Sequence, residues 1–511
     1  MRTVGPVFAL VAACAFASPL AAQDKGADAR LEALADAYQD YRLAEYGLIE
    51  NADGTTDQGP KFWSATPEAF QARARHAKGM LAQLETIEKA DLSQTARTDA
   101  TVLRTLLETE IGDAAFREWE MPFNSDSDFW SYLAPSQGFD TVEEYERYIS
   151  RLRDLPRFFD EQIGNARTGL ARGFSVPAVT LAGRDASIAS YVVEDARQSP
   201  FWRPLADMPA RIGAEDAARL SKDAEAAIAD SVTPAFAELL AFYRDEYLPK
   251  ARTTLAADEM PNGADYYRQQ IREYTTLDLG PEEIHDIGLG EVARITEAMK
   301  VIKEEVGFDG TLPEFVTFLR SDPQFVARTP DELMGVSSYV AKRVDGQLDR
   351  FFGFLPRHRF TIRPVDPSIA PFYTAGRGGF DACQMNTYDL PSRPLYNIPA
   401  LTLHECAPGH SFQMSLAVER PDAPRFRRRT YFSGFGEGWG LYVEYLGNEM
   451  GIYRTPYERF GQLSYEMWRA ARLVIDTGIH HYAWTREQAI DYLAQRTALS
   501  QREVETEVDR Y

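Results

Sequence analysis

Leu401-Thr402-Leu403-His404-Glu405-Cys406-Ala407-Pro408-Gly409-His410 runs a helix-ready apolar stretch into a His-Glu pair and then returns a second histidine. A glutamate beside a metal-ligating histidine is how zinc hydrolases hold a general base against an activated water, usually as H-E-x-x-H on one helical face. Here the second histidine comes two positions late. In an unbroken helix six residues turn through about 600° and rise about 9 Å, leaving the two imidazoles about 120° apart. Pro408 changes this. It has no N–H for the carbonyl of His404 and its ring clashes there, so the helix must kink or bulge, and Gly409 accepts whatever backbone angles follow. The helix is therefore expected to break just after Ala407 and to deliver His410 to the ion that His404 binds. The bland alternative is a kinked helix whose histidines make ordinary hydrogen bonds.

A third ligand is available. The segment from Ser433 to Glu444 opens a helix after a glycine-rich turn and places Glu437 and Glu444 on one face, interrupting an apolar strip of Trp, Leu, Tyr and Val. Glu437 could be merely an acidic first-turn residue favoured by the helix dipole. That does not explain Glu444, since a buried carboxylate needs a partner. A second polar face carries Arg472, Asp476 and His480 at four-residue spacing. It is either a buried ion-pair ladder or a functional set, with Asp476 orienting His480 toward an oxyanion and Arg472 clamping a substrate carboxylate. Cys406 is a possible metal ligand or a small apolar residue packing the motif helix, and one bridge to Cys383 is permitted in an oxidising compartment.

Around these motifs the chain reads as mainly α. Apolar periodicity predicts helices over 29–46, 67–88, 92–119, 142–172, 215–251, 264–274, 281–306, 331–355, 400–420, 436–450, 456–478 and 485–497. Residues 359–365 and 380–390 alternate as strands and are expected to pair antiparallel, with Gly376-Arg377-Gly378-Gly379 between them. Residues 252–263 form the expected boundary between an N-terminal helical lobe (23–260) and a catalytic, metal-binding lobe (261–511), the two expected to make one continuous unit over 23–511. The strand around Gln384-Met385-Asn386 could hold an extended substrate by strand addition, with Asn386 as a contact.

The chain has 511 residues, 44% apolar and 26% charged, which describes an ordinary globular protein. Its net charge of −22 argues against nucleic acid as partner. Met1-Arg2-Thr3 and the apolar run to Ala17 read as a signal peptide cleaved after Ala22, or after Ala17, giving an exported, periplasmic protein. Val11-Ala12-Ala13-Cys14 offers the alternative of a lipoprotein anchored through Cys14. No later stretch is long and apolar enough for a membrane span.

The blocks Leu403-His404-Glu405 with Pro408-Gly409-His410, Glu437-Gly438-Trp439 with Leu441-Tyr442 and Glu444, Arg469-Ala470, Arg472-Leu473-Val474, Asp476-Thr477-Gly478 with His480, and Trp484-Thr485 resemble the bacterial domain of unknown function 885 family, grouped with zincin-superfamily peptidases. The resemblance departs at Ser411, where a further histidine is common, and at Gly440, usually Ala, a change read as minor. It implies a two-lobed, zincin-like helical metallopeptidase fold with one small antiparallel sheet beside the active-site helix. Similarity to thimet-type and angiotensin-converting-type peptidases implies one Zn²⁺ held by His404, His410 and Glu437, with Glu444 supporting the ligands. Glu405 would act as base, and His480, Tyr373 or Tyr388 would stabilise the oxyanion, although both tyrosines could equally be core residues. The expected activity is hydrolysis of short peptides, as a carboxypeptidase or dipeptidase. The alternatives are a zinc amidase acting on a non-peptide or peptidoglycan-derived amide and an inactive peptide-binding protein; a homodimer is possible.

Overall fold

The computed structural model describes residues 25–511 apart from 52–54, 124–127, 132, 136–137, 207, 368–369 and 421–422. The expected signal peptide and Cys14 lie outside the described residues. Helices dominate, as the periodicity predicts. Lys25–Glu45, Pro67–Glu85 and Gln94–Phe116 bury Leu31, Met80, Leu84, Leu103 and Leu107 against one another, the latter two helices started by the N-caps Thr66 and Ser93. Phe426, from far along the chain, plugs the same core. Arg425 beside it pairs with Asp40 at 2.9 Å and with Glu50. The segment that follows the histidine motif is thereby fastened to the N-terminal helices.

The long helix Val142–Arg172 begins at a capping box of Thr141 and Glu144 and packs Leu152, Leu155, Phe159 and Ile163 onto residues 214–250. That second stretch is helical as expected but widens into π-turns at Ile228–Val232 and Tyr243–Tyr247. Pro234 and Pro249 each come one residue after such a turn, and each lacks the N–H that an α-turn would require there. The region 331–355 is two helices, Pro330–Asp345 and Leu348–Phe351, parted at Gly346 and Gln347. Residues 252–263 are mixed, with Ala256, Ala257 and Met260 buried and Thr253, Thr254, Glu259 and Asn262 exposed.

The sheet differs from expectation. Strands β1 (Leu48–Glu50) and β2 (Thr56–Gln58) form an antiparallel hairpin inside the N-terminal helical region. Strand β3 (Thr361–Pro364) pairs in parallel, not antiparallel, with β5 (Ala382–Met385). The antiparallel partner of β5 is β4 (Gly376–Gly378), the glycine-rich stretch expected to be a connection. The order is β3-β5-β4, so β5 is central and its backbone is committed on both sides. β4 is the edge.

At the seam between Gln94–Phe116 and the helix Gly263–Thr275, the carboxyl groups of Asp113, Glu118 and Glu273 lie within 4.8 Å of one another. Burial and mutual repulsion push Asp113 up to about 9 and Glu118 up to about 7, and Glu273 is also raised. Raised carboxylates bind protons in the folded state that the unfolded chain releases near pH 4, so their contribution to stability is lost as pH rises through about 7 to 9. The melting temperature should fall by on the order of a few degrees between pH 5.5 and 9, and Asp113→Asn should flatten that slope. Equal slopes for both proteins in thermal melts would exclude the trio as the source.

Candidate metal centre

The histidine helix spans Ile398–Glu405, enters through Pro399 in its first turn, and is buried from Ile398 to His404. It ends two residues earlier than expected, at Glu405, with Cys406 outside helical geometry and a cis peptide bond between Ala407 and Pro408. A new helix begins at His410 and runs to Glu419. The break therefore occurs, as four non-helical residues between two helices. Gly409 is needed for closeness, not for unusual φ: a Cβ there would stand 1.8 Å from the His404 carbonyl oxygen. Two groups of the broken turn are satisfied from outside it. Trp439 Nε1 donates to the Pro408 carbonyl at 2.7 Å, and Ser411 Oγ donates to the Glu405 carbonyl at 3.2 Å.

The break brings His410 Nε2 to 3.1 Å from His404 Nε2, with the rings perpendicular. The glutamate helix, Ser433–Glu449, supplies the third group: Glu437 lies 3.4 Å from His404 Nε2 and 3.5 Å from His410 Nε2. His404, His410 and Glu437 together could hold a metal ion, each offering one donor atom within 4.8 Å of the others. Two imidazoles and a carboxylate are a donor set that suits zinc and leaves room for a further ligand. Glu444, fully buried, sits behind His404 with Oε1 at 2.8 Å from Nδ1, and Arg469 approaches that same oxygen at 3.2 Å. A terminal nitrogen of Arg469 also lies 2.9 Å from His404 Nδ1 and 3.1 Å from Nε2, so Glu444 and Arg469 both bear directly on the imidazole.

The electrostatics agree with an electron-rich socket. Burial and Arg469 lower the basicity of His404, but Glu437 and Glu444 outweigh them and push it up to about 9. Burial opposes the ionisation of Glu437, yet contacts from both histidines hold its carboxyl well below the usual carboxylate range. Glu405, at the end of the histidine helix, accepts the Gly378 N–H of β4 at 2.6 Å. A cleft of about 530 Å³ opens over these groups, and the whole of β4 lines it together with Tyr431, Trp468 and Arg472.

Not every residue expected at the site is there. His480 does not line the cleft; its Nδ1 accepts the Ala257 N–H at 3.2 Å, and burial pushes its pKa down. Asp476 accepts the Tyr267 hydroxyl rather than orienting His480. Asn386 is buried, and its amide donates to the carbonyls of Ala370, Tyr373 and Thr374, so it clamps a loop. Tyr373 and Tyr388 line a neighbouring compartment and not the metal cleft. Arg472 does reach the cleft, but both its Nε and a terminal nitrogen lie 2.6 Å from Glu507. Cys406 is disulfide-bonded to Cys383, which removes it as a ligand.

Three contributors were not foreseen. Tyr431 donates to Glu437 Oε1 at 3.4 Å, and burial beside that carboxylate raises its pKa, so the phenol keeps its proton. Gly378 and Arg469 are the others. Gly440 is also more than a minor change, because a Cβ there would meet the His404 ring at 2.2 Å.

The chain matches over residues 50–511 the family described as "Bacterial protein of unknown function (DUF885)", and it belongs to that family. No curated protein matches it significantly. A crystal structure described as "the putative lipoprotein from Colwellia psychrerythraea" is similar, with TM-score 0.82 and 23% identity over 95% of this chain and 88% of that one. At that identity the likeness shows a shared fold.

Glu444→Gln should weaken Zn²⁺ binding by about 10- to 100-fold in competition with a chromophoric chelator, because the neutral amide no longer fixes the imidazole as a carboxylate does. Unchanged affinity would remove Glu444 from the support of the ligands.

Proposed function

We propose that this protein is an exported zinc-dependent peptidase of zincin-like design acting on short peptides. Carboxypeptidase or dipeptidase action is the favoured mode. The observation that carries the proposal is the position of Glu405, which lines the same cleft as the His404–His410–Glu437 group and is bonded to the sheet edge that borders it. A peptide-binding protein has no use for that base. The disulfide between Cys383 and Cys406 favours an oxidising compartment outside the cytoplasm.

His404, His410 and Glu437 would hold Zn²⁺, which when bound would polarise the substrate carbonyl and acidify a water molecule. Glu405 takes the proton from the attacking water and passes it to the leaving amine. The Gly378 N–H fixes the Glu405 carboxylate on the side facing β4. β4, as the edge strand along the cleft, can take an extended substrate by backbone pairing, a role that central β5 cannot fill. Tyr431, protonated and beside Glu437, is the group best placed to donate to the oxygen on which charge develops.

Purified protein should contain about one zinc per chain. Glu405→Gln should keep the metal while peptide hydrolysis falls by about a thousandfold or more. Absence of stoichiometric zinc, with hydrolysis intact in Glu405→Gln, would overturn the scheme. Tyr431→Phe should lower kcat by about 10- to 100-fold with KM little changed. Amidating the peptide C-terminus should abolish turnover by a carboxypeptidase but not by an amidase.

A further inference from the structure

Beside the metal cleft, and sharing with it the wall formed by Ala375, Arg377, Trp468 and Arg510, lies a smaller compartment of about 80 Å³. Five guanidinium groups line it, those of Arg184, Arg377, Arg393, Arg502 and Arg510. Among the described residues that line it are three carboxylates. Glu503 is taken by Arg393, and Glu507 is held between Arg472 at 2.6 Å and Arg510 at 3.1 Å. Asp389, the third, accepts the Ser392 hydroxyl at 2.6 Å. The lining therefore carries an excess of positive charge in a chain whose net charge is −22.

The arginines are also positioned. Arg502 donates to the Pro371 carbonyl at 2.6 Å and lies 5.5 Å from the centre of the Tyr388 ring. Arg377 lies 5.2 Å from that of Tyr373. Aromatic faces and a carbonyl thus hold planar guanidinium forks whose geometry suits a carboxylate. This gives Tyr373 and Tyr388 a place in the molecule, as supports for arginines. A net charge of −22 repels an anion at long range, whereas a positively lined recess concentrates it locally. The volume accommodates roughly a few waters, or a carboxylate on a short stem, rather than an aromatic ring.

We infer that this compartment is an anion subsite that takes a second carboxylate of the substrate while the scissile amide lies over the metal group. The inference rests on the peptidase reading and specifies its substrate class as acidic peptides or peptides held by a free C-terminus. Both sources present the same chemistry. A tetra-alanine peptide with one Glu, or its Gln twin, walked through the four positions, each as free acid and as C-terminal amide, separates them. Binding to zinc-loaded Glu405→Gln protein is read by titration calorimetry, so the result does not depend on turnover.

In one register the Glu peptide should bind at least about tenfold more tightly than its Gln twin. Arg502→Gln and Arg184→Gln should each remove most of that preference with zinc content unchanged. A preference for free acid over amide, with Glu and Gln equivalent but the same two variants still removing it, supports the subsite and assigns it to the terminal carboxylate. Equal affinities across every Glu/Gln and acid/amide pair, or a preference that survives both arginine variants, would overturn the subsite. If the anion preference is found but wild-type protein cleaves none of the peptides, the peptidase reading fails and the subsite stands.

Discussion

The His404 carbonyl and the backbone of Gly409 are in such close contact that no side chain could stand between them. Much else at the site depends on that contact. It closes a four-residue interruption between two helices, so that two histidines six apart in sequence face each other at 3.1 Å. An interruption of this kind inside a buried region strands backbone polar groups, and each must find a partner. Trp439 reaches across from the glutamate helix to satisfy Pro408, and Ser411 caps Glu405. The glutamate helix is thus held against the broken turn by the turn's own unmet hydrogen bonding, and Glu437 arrives with it.

The charges of the site are expensive to bury and are therefore made mutually dependent. Glu444 is wholly removed from solvent, which is tolerable only because His404 and Arg469 both address it. Removing one partner of such a buried set typically costs about 3–5 kcal/mol, since the group left behind stays desolvated and unpaired. The same logic governs Arg472. It shares a helical face with Asp476 and His480, yet its counter-charge is Glu507 on the last helix, Gln501–Val508, which Tyr511 and Arg510 also engage. The chain's C-terminal end thereby becomes part of the cleft wall.

Much of this was legible in the sequence, and the limits have physical reasons. Apolar periodicity locates most helices because burial of one face is what stabilises them. It passes over Leu312–Ser321 and Gln501–Val508, although the capping boxes Thr311/Glu314 and Ser500/Glu503 announce both starts. Alternation finds β3 and β5 but carries no information on strand direction, and β4, made of Gly-Arg-Gly, has no strand propensity to read. His404, His410 and Glu437 could be grouped in advance because Pro408 and Gly409 mark the break. Tyr431 and the arginines of the side compartment could not, since they meet the site only through tertiary packing of segments distant in sequence. The helical face of Arg472, Asp476 and His480 misled for the opposite reason: shared spacing shows a common face, not a common partner.

Family membership and a shared fold with a distant structure leave the activity open, because one fold can carry many chemistries. What bears on activity is how firmly the groups that would act are held relative to one another. Glu405 is tied to the sheet twice over. Its carboxylate accepts from Gly378 on β4, and the residue after it is bonded through Cys406 to Cys383 on β5. Any peptide laid along β4 is therefore registered against Glu405 by one hydrogen bond and one covalent link rather than by the packing of a mobile loop. A base that must meet a water molecule within a few tenths of an ångström gains most from such a support. A protein that only bound peptides would gain nothing from coupling its strand edge to that one carboxylate.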